Sequence, residues 1–452
     1  MSLAADASLS RPLARSSPGD PASAPVAARR PVGAAPRTVT IVGAGIVGAA
    51  AAYVLARDGH RVTLLEERAA PGELTSFANG AQLSYSYVEP FATPATLRKL
   101  PAMLFDPQSA LKLRLTGEWD QLAWGLRFLC AAHPAQVRHA TRELLRLSFL
   151  SRDELDAACR ADDLRFDHAV PGKLLLLDTP QALAGAQRQV ALQRTLGCEQ
   201  QVLSADECLA LEPALAACRS RIEGGVWTPG EAVGDAWLLT RELVDRLRRM
   251  GGEVRYSTRI AGFRLDGRRI VALQADSGEE LPAGDAVVLA NGGEAAVLAR
   301  RVGMRLPLYP IKGYSITLPL ADPAQAPRVS ITDLGRKTVY APLPGKLRVA
   351  GMAELVGPDR RVDASRIAQL RAATRETFPG ACDDRADPHG WAGLRPATPT
   401  SMPLIGATRI ENLLLNVGHG ALGFTLAMGS ARLLAQCVAG QTREAAAFAY
   451  AG

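Results

Sequence analysis

The chain has 452 residues, of which 48% are apolar and 21% charged, enough to bury a core in two or three domains. This composition excludes wholly disordered, collagenous and disulfide-scaffold proteins. The net charge of +7 comes from scattered basic residues, so we expect no nucleic-acid partner. The seven cysteines include no C-x-x-C pair, which predicts free thiols in a reducing compartment and no metal site.

Residues 1–37 are rich in Ala, Pro and Ser and contain no aromatic residue, so we expect them to form a disordered tail. They lack the continuous apolar core of a signal peptide. No uninterrupted apolar stretch of the sequence reaches the roughly 18 residues that a membrane-spanning helix requires. We therefore expect a soluble, cytoplasmic protein.

Order is predicted to begin with a strand, a glycine loop, a helix and a second strand. A β-branched run at Thr38 leads to Gly43, Gly45 and Gly48, and the second strand ends at Glu66. The first glycine permits a tight turn, the second lets backbone approach a pyrophosphate, and the third lets helix and strand pack closely. The helix N-terminus would bind phosphate, and the Glu66 carboxylate would bind a ribose diol. This unit predicts a site for NAD or FAD, because the carboxylate would repel the 2′-phosphate of NADP.

The remaining sequence alternates helical and strand patterns. Helices are predicted near 118–131, 140–160, 236–250, 364–377 and 423–438, and strands near 173–177, 253–256, 285–290, 314–318, 338–341, 347–350 and 413–416. The strands near 253–256 and 285–290 are expected to return to the first sheet, whereas those between 305 and 380 indicate an antiparallel sheet. This order predicts an α/β chain of the α+β two-domain kind, with a Rossmann-like dinucleotide-binding domain and a substrate domain. The predicted bounds are 38–90, 220–300 and 395–445 for the first domain, and 91–219 and 301–394 for the second.

Six motifs in a fixed order resemble one group of flavin enzymes. They are GAGIVG at 43–48, LTSFANGAQ at 74–82, YPIKGYS at 309–315, RVAGMAE at 348–354, WAGLRPATP at 391–399 and NVGHGALGFT at 416–425. From Thr38 to about Gly440 the chain resembles the small-subunit type of D-amino acid dehydrogenase, within the family of D-amino acid oxidase, glycine oxidase and sarcosine oxidase.

The resemblance implies FAD as the cofactor of an enzyme that deaminates D-amino acids oxidatively to 2-oxo acids and ammonia. In that reaction a hydride passes from the substrate α-carbon to flavin N5. The resemblance also implies that the electrons leave to a quinone or another respiratory carrier. Peripheral contact with the inner face of the cell membrane is therefore expected.

The resemblance assigns binding of the substrate carboxylate to an arginine. Arg395, in the Gly-Leu-Arg-Pro motif, carries a planar guanidinium that matches a carboxylate, and in similar enzymes it orients the substrate over the flavin. Tyr314 is the second predicted catalytic residue, with its phenol near that carboxylate. Lys312 is a candidate for a flavin-tuning cation or for a solvated charge. His419 is expected to shape the flavin loop, because hydride transfer from a neutral amine requires no strong base.

The predicted FAD-binding residues lie in several separate parts of the chain. They are Gly43, Ala44, Gly45, Ile46, Val47, Gly48, Glu66, Glu67, Arg68, Ser76, Asn79, Gly80, Gln82, Ile260, Ala290, Gly292, Gly418, His419, Gly420, Leu422, Gly423, Phe424 and Thr425. The last group leads into a helix whose N-terminus is expected to stabilise negative charge on the reduced flavin.

Two segments, 84–90 and 332–337, depart from the family pattern, and both are expected to line the substrate pocket. The preferred side chain therefore stays open, and a D-hydroxyproline or D-proline dehydrogenase is one alternative. A glycine or sarcosine oxidase of the same fold is another. More distant alternatives are a tRNA-modifying flavoprotein and a non-catalytic flavin-binding subunit.

Overall fold

The computed structural model describes residues 35–88, 90–98, 111–114 and 118–450. All of the predicted tail except residues 35–37 lies outside these ranges. Within the described chain, most strands belong to two large sheets.

The first sheet is built around a strand whose residues are almost all buried. This strand is parallel to its neighbour on each side, which requires helices on both faces of the sheet. In spatial order the sheet contains β19 (Leu404–Ala407), β20 (Leu413–Val417), β13 (Ala286–Leu289), β1 (Thr38–Val42), β2 (Arg61–Leu65) and β9 (Glu253–Arg255). Strand β19 is antiparallel to β20. The predicted return of β9 and β13 to the first sheet is confirmed.

Helices cover the sheets and form the cores. They are α1 (Ile46–Arg57), α2 (Trp119–Ala131), α3 (Pro134–Asp162), α4 (Pro180–Arg194), α5 (Ala205–Leu211), α6 (Ala236–Arg249), α7 (Ala295–Arg301), α8 (Ala364–Thr377) and α9 (Gly423–Val438). Helices α1, α3, α6 and α9 contribute to one buried apolar cluster. The segment Gly420–Val438 is long and apolar enough to cross a membrane, but it is mostly buried among these helices, as a core helix is.

The second sheet is larger and mainly antiparallel. In spatial order it contains β18 (Trp391–Ala397), β14 (Tyr309–Pro319), β17 (Lys346–Leu355), β16 (Thr338–Leu343), β15 (Ser330–Asp333), β5 (Lys173–Leu177), β7 (Gly224–Thr228) and β6 (Gln201–Ser204), and β4 (Leu111–Leu113) pairs with β17. One face packs its apolar side chains with those of α8. The other face receives the loop that precedes β3 (Gln82–Leu83), because the Ser315 hydroxyl donates to the carbonyl of Ala78.

Two small sheets complete the fold: β3 pairs with β8 (Ala232–Val233), and β10 (Ile260–Asp266) is followed by β11 (Arg269–Ala275) and β12 (Glu280–Pro282). Two elements cross the predicted domain bounds. Strand β7 lies within 220–300 but pairs with β5 and β6 of the second sheet. Helix α3 lies within 91–219 but buries its apolar side chains against the helices of the first domain. The reason is the same for β7 and α3: each packs into a different core from the segments next to it in sequence.

Candidate active site

The glycine loop leaves the carboxyl end of β1 with its backbone packed too closely for side chains. Gly43 has a φ of +104°, and a Cβ there would lie 2.6 Å from the Cα of Asn291. A Cβ on Gly48 would lie 1.8 Å from the carbonyl oxygen of Gly43. Gly45 caps α1 without a side-chain hydrogen bond, so the first turn keeps N–H groups that no helix carbonyl uses. The loop is therefore a backbone cradle suited to a phosphate group.

The carboxylate of Glu66 is held directly beside this cradle. Its Oε2 accepts from the N–H of Ala44 at 2.6 Å and its Oε1 accepts from the N–H of Arg68 at 3.0 Å. Burial raises the pKa of Glu66, and these two hydrogen bonds oppose the rise. Each carboxylate oxygen retains a lone pair that could accept from a ribose hydroxyl. Glu67, in contrast, pairs with Arg68 and Arg259 at the surface.

A second loop, at residues 74–83, connects the cradle with the second sheet. The Ser76 hydroxyl accepts from the N–H of Ile46 at 3.0 Å. The side chain of Asn79 accepts from the N–H of Ala81 and closes a tight turn. The Gln82 amide donates to the Ser330 hydroxyl at 2.7 Å. The predicted FAD-binding residues of this loop thus lie between the two sheets.

A third segment follows β20 at the same edge of the first sheet. Gly418 has a φ of +84°, and His419 behind it is buried, with no partner for its Nε2 among the described residues. Burial lowers the pKa of His419 to about 3, so its imidazole is neutral at ordinary pH. Both side-chain amide atoms of Asn416 and the Oδ1 of Asn291 are also buried without partners in the part of the chain that the structure describes. Such unsatisfied polar atoms are uncommon in native proteins and mark this edge as a functional region.

The other predicted FAD-binding residues divide into backbone and packing positions. Ala290 and Gly292 follow β13, next to the glycine loop. Ile260 is buried in an apolar cluster with Val42 and Leu65, and Phe424 is buried in the first core with its ring edge-on to that of Phe166, so both side chains serve packing. The α9 N-terminus is surrounded by Gly420, Leu422, Gly423 and Thr425. The Thr425 hydroxyl accepts from the N–H of Ser84 at 3.1 Å.

Arg395 lies in β18 and extends its side chain across the neighbouring strand. A Cβ on Gly313 would lie 2.3 Å from Nη2 of Arg395, so the absence of a side chain at Gly313 is what admits the guanidinium. The Nη1 atom donates to the carbonyl of Met352 at 2.9 Å. Within the described residues no carboxylate pairs with Arg395, and burial lowers its pKa. A partly buried guanidinium without an anionic partner is suited to bind a carboxylate ligand.

The prediction that Tyr314 places its phenol near this carboxylate site is wrong. Ile311 is opposite Arg395 in the sheet and Tyr314 is opposite Ala392, so the side chains of Tyr314 and Arg395 point to opposite faces. The Tyr314 hydroxyl donates to Glu354 at 3.0 Å within the core on the far side. Lys312 lies on that far face as well, where its Nζ is 3.6 Å from Asp359.

The sequence reasoning missed a buried polar group on the Arg395 face of the second sheet. Lys173 is 4% exposed, and its Nζ donates to the Ser84 hydroxyl at 2.8 Å. Glu231 is 1% exposed and accepts from the N–H of Ser86 at 2.7 Å. Burial lowers the pKa of Lys173 to about 8 and raises that of Glu231. The sequence feature that could have indicated this group is the lysine that begins a strand otherwise made only of leucine.

Arg348 is a second buried cation that the sequence reasoning missed. Its Nη2 lies 3.3 Å from Asp235, and its Nη1 donates to the carbonyl of Asn79. It therefore ties the second sheet to the loop that precedes β3.

The assembled residues fit a flavin dinucleotide. The cradle of Gly43 and Gly48 excludes side chains where a pyrophosphate would lie, and the Glu66 carboxylate is fixed where a ribose would follow. The α9 N-terminus and Arg395 belong to the same region between the sheets. Within the described residues no group of three potential metal ligands comes together.

The family of FAD dependent oxidoreductases matches residues 38–437. The chain belongs to this family. Among curated relatives, D-amino acid dehydrogenase 2 of Ralstonia nicotianae is 47% identical over 422 residues, which cover 91% of this chain and 99% of the relative. D-amino acid dehydrogenase 2 of Pseudomonas aeruginosa is 43% identical and covers 88% of this chain and 94% of the relative.

Solved structures share the fold at low sequence identity. Glycine oxidase from Geobacillus kaustophilus has a TM-score of 0.69 and 22% identity, and the match covers 89% of this chain and 94% of that one. L-proline dehydrogenase from P. horikoshii has a TM-score of 0.70 and 16% identity, with 89% and 93% covered. The predicted family, the two-domain fold class and the FAD cofactor are confirmed.

Proposed function

We propose that this flavoprotein is a D-amino acid dehydrogenase in which Arg395 binds the substrate α-carboxylate. The observation that carries the proposal is the partly buried guanidinium of Arg395, which has no carboxylate partner among the described residues and lies on the sheet face that receives the loop at residues 74–83. The names of the curated relatives support the same substrate class.

The chemistry divides between the cofactor and the protein. When bound, FAD supplies the oxidation by accepting a hydride from the substrate α-carbon. Arg395 holds the carboxylate and so limits how the α-carbon can approach, which reduces the entropic part of the barrier. The amine is oxidised in its neutral form, and the resulting imino acid reacts with water to give the 2-oxo acid and ammonia.

The neighbouring groups support that chemistry without acting as acids. His419 is neutral, because burial holds its pKa near 3, so it brings no competing positive charge to the loop. The N–H groups and dipole at the α9 N-terminus would stabilise negative charge that reduction leaves on the cofactor. The apolar side chains of Ile311 and Val339 lie on the Arg395 face of the sheet.

An acceptor test separates a dehydrogenase from an oxidase. We expect the holoenzyme to oxidise D-alanine rapidly with a quinone analogue or an artificial dye, and to consume little oxygen when neither is present. Oxygen consumption and peroxide formation at the rate of the dye assay would instead indicate an oxidase.

The electrons are proposed to leave to a membrane quinone, with α2 as the element that contacts the bilayer. Trp119, Leu122, Leu126 and Leu129 are 72%, 52%, 64% and 54% exposed and share one face of the helix, while its opposite face is buried. Exposed basic side chains lie close by in the chain: Lys112 is in β4, Arg114 follows β4, and Arg127 is in α2. Their positive charge suits anionic lipid headgroups on the inner face of the cell membrane.

The membrane proposal is tested by sedimentation with vesicles of phosphatidylcholine, with and without phosphatidylglycerol. Leu126→Glu is expected to abolish most binding to the anionic vesicles. Val170→Glu is the matched control, because Val170 is 60% exposed but stands outside this face. Equal binding by both variants and the unaltered protein would contradict the assignment of α2.

A further inference from the structure

Strand β17 carries a bulge where it meets Arg395. Tyr314 of β14 is opposite Gly351, but Lys312, two residues earlier, is opposite Glu354, so β17 contains one extra residue. Met352 lies in this bulge with a φ of +64°, a value that non-glycine residues rarely adopt. The bulge turns the Met352 carbonyl out of the ladder, where it accepts from Nη1 of Arg395 at 2.9 Å.

A buried hydrogen bond spans this bulge on the face of the sheet that packs against α8. Tyr314 lies on one side of it and Glu354 on the other, and their side chains are joined at 3.0 Å. The second carboxylate oxygen of Glu354 accepts from Nε of Arg366 at 2.8 Å. Arg366 is 1% exposed and also donates to Gln369 on the same helix, α8. Helix α8 therefore fixes Glu354, and Glu354 with Tyr314 fixes both ends of the bulge.

This cluster cannot reach the substrate itself. Tyr314 and Glu354 point away from Arg395, into the core between the second sheet and α8. The Tyr314–Glu354 pair and Arg395 lie on opposite faces of the sheet, and the backbone of β17 connects them through the carbonyl of Met352. A change in the cluster can thus alter Arg395 by moving that carbonyl.

We propose that Tyr314 and Glu354 are positioning residues that, anchored by Arg366, hold the β17 bulge and so set the orientation of the Arg395 guanidinium. This inference rests on the proposed role of Arg395. Bulges and residues with positive φ are frequent beside active sites, where they redirect a group at some cost in backbone strain. Here the redirected group is a carbonyl oxygen, and the side chain that it orients is the proposed carboxylate ligand.

The test measures how tightly the FAD-loaded protein binds pyruvate, the 2-oxo acid of D-alanine, from the change in flavin absorbance. Tyr314→Phe is expected to raise the Kd about three- to tenfold, because it removes one hydrogen bond that holds the bulge and so loosens the Met352 carbonyl. FAD content should not change. Tyr340→Phe is the matched control, because Tyr340 is equally buried in the same core but bonds Ala373 and Thr377 of α8. Its Kd should change less than twofold.

A double variant distinguishes positioning from a general loss of stability. If Tyr314 acts through Arg395, Tyr314→Phe added to Arg395→Met should raise the Kd no further than Arg395→Met alone. A further rise would overturn the inference, as would equal Kd values for Tyr314→Phe and Tyr340→Phe. An unchanged Kd in Arg395→Met would overturn the proposed carboxylate site as well. Should Tyr314→Phe bind no FAD, Glu354→Gln weakens the same contacts and must raise the Kd likewise.

Discussion

Replacement of Arg395 by methionine should remove activity and leave the fold intact. Two charge-assisted hydrogen bonds from a guanidinium to a carboxylate contribute about 3 to 5 kcal/mol, so kcat/KM for D-alanine should fall roughly 10²- to 4 × 10³-fold. The folded protein loses one hydrogen bond, to the Met352 carbonyl, and is relieved of a charge that burial disfavours. The free energy of unfolding should therefore change by less than about 1 kcal/mol.

Arg348→Met is the matched control for this prediction. Arg348 is also buried, but it pairs with Asp235 at 3.3 Å, and removal of one partner of a buried pair costs about 3 to 5 kcal/mol. Steady-state kinetics and urea denaturation of both variants check the contrast. The reasoning would be refuted if Arg395→Met were as unstable as Arg348→Met, or if it kept the kcat/KM of the unaltered enzyme.

Three further predictions concern the glycine cradle, the buried amine of Lys173 and the buried imidazole of His419. Gly48→Ala should abolish FAD binding, because the new Cβ would lie 1.8 Å from the carbonyl oxygen of Gly43. Gly185→Ala is the control: it adds a Cβ in open space within α4 and should stabilise the folded protein by about 1 kcal/mol. FAD content and thermal unfolding of both variants check this prediction. Because burial lowers the pKa of Lys173 to about 8, the folded protein loses this proton before the unfolded chain does. The free energy of unfolding should therefore rise by about 2 kcal/mol between pH 8 and 10, and this rise should be absent in Lys173→Met when urea denaturation is compared at the two pH values. His419→Gln should leave the shape of the kcat/KM profile between pH 5 and 8 unchanged, because the pKa near 3 keeps His419 neutral throughout; loss of an inflection would contradict this.

The features that sequence predicted correctly depend on local spacing. Three glycines between a β-branched run and a small-residue helix determine the turn at Gly43 and the contact of Gly48 without help from distant residues. Helices at 236–250 and 423–438 were similarly predictable, since their apolar side chains recur with helical period.

The features that sequence did not predict depend on sheet register. A one-residue difference decides which face a strand residue occupies, and Tyr314 lies beside a bulge that no local pattern announces. Strand β7 has no alternation in its buried sequence and could have belonged to either sheet. The partners of Lys173 come from segments about 60 to 90 residues away, so its burial could not be inferred from the strand alone.

The central claim is that the bound flavin is reduced by D-amino acids held at Arg395, and anaerobic titration of the FAD-loaded protein tests it most directly. D-alanine and L-alanine are added separately without an electron acceptor, and the visible absorbance of oxidised flavin is followed. We expect D-alanine to remove that absorbance in the unaltered protein, L-alanine to leave it, and Arg395→Met to require far more D-alanine. Reduction by L-alanine alone, or by neither enantiomer in a protein that holds FAD, would contradict the account.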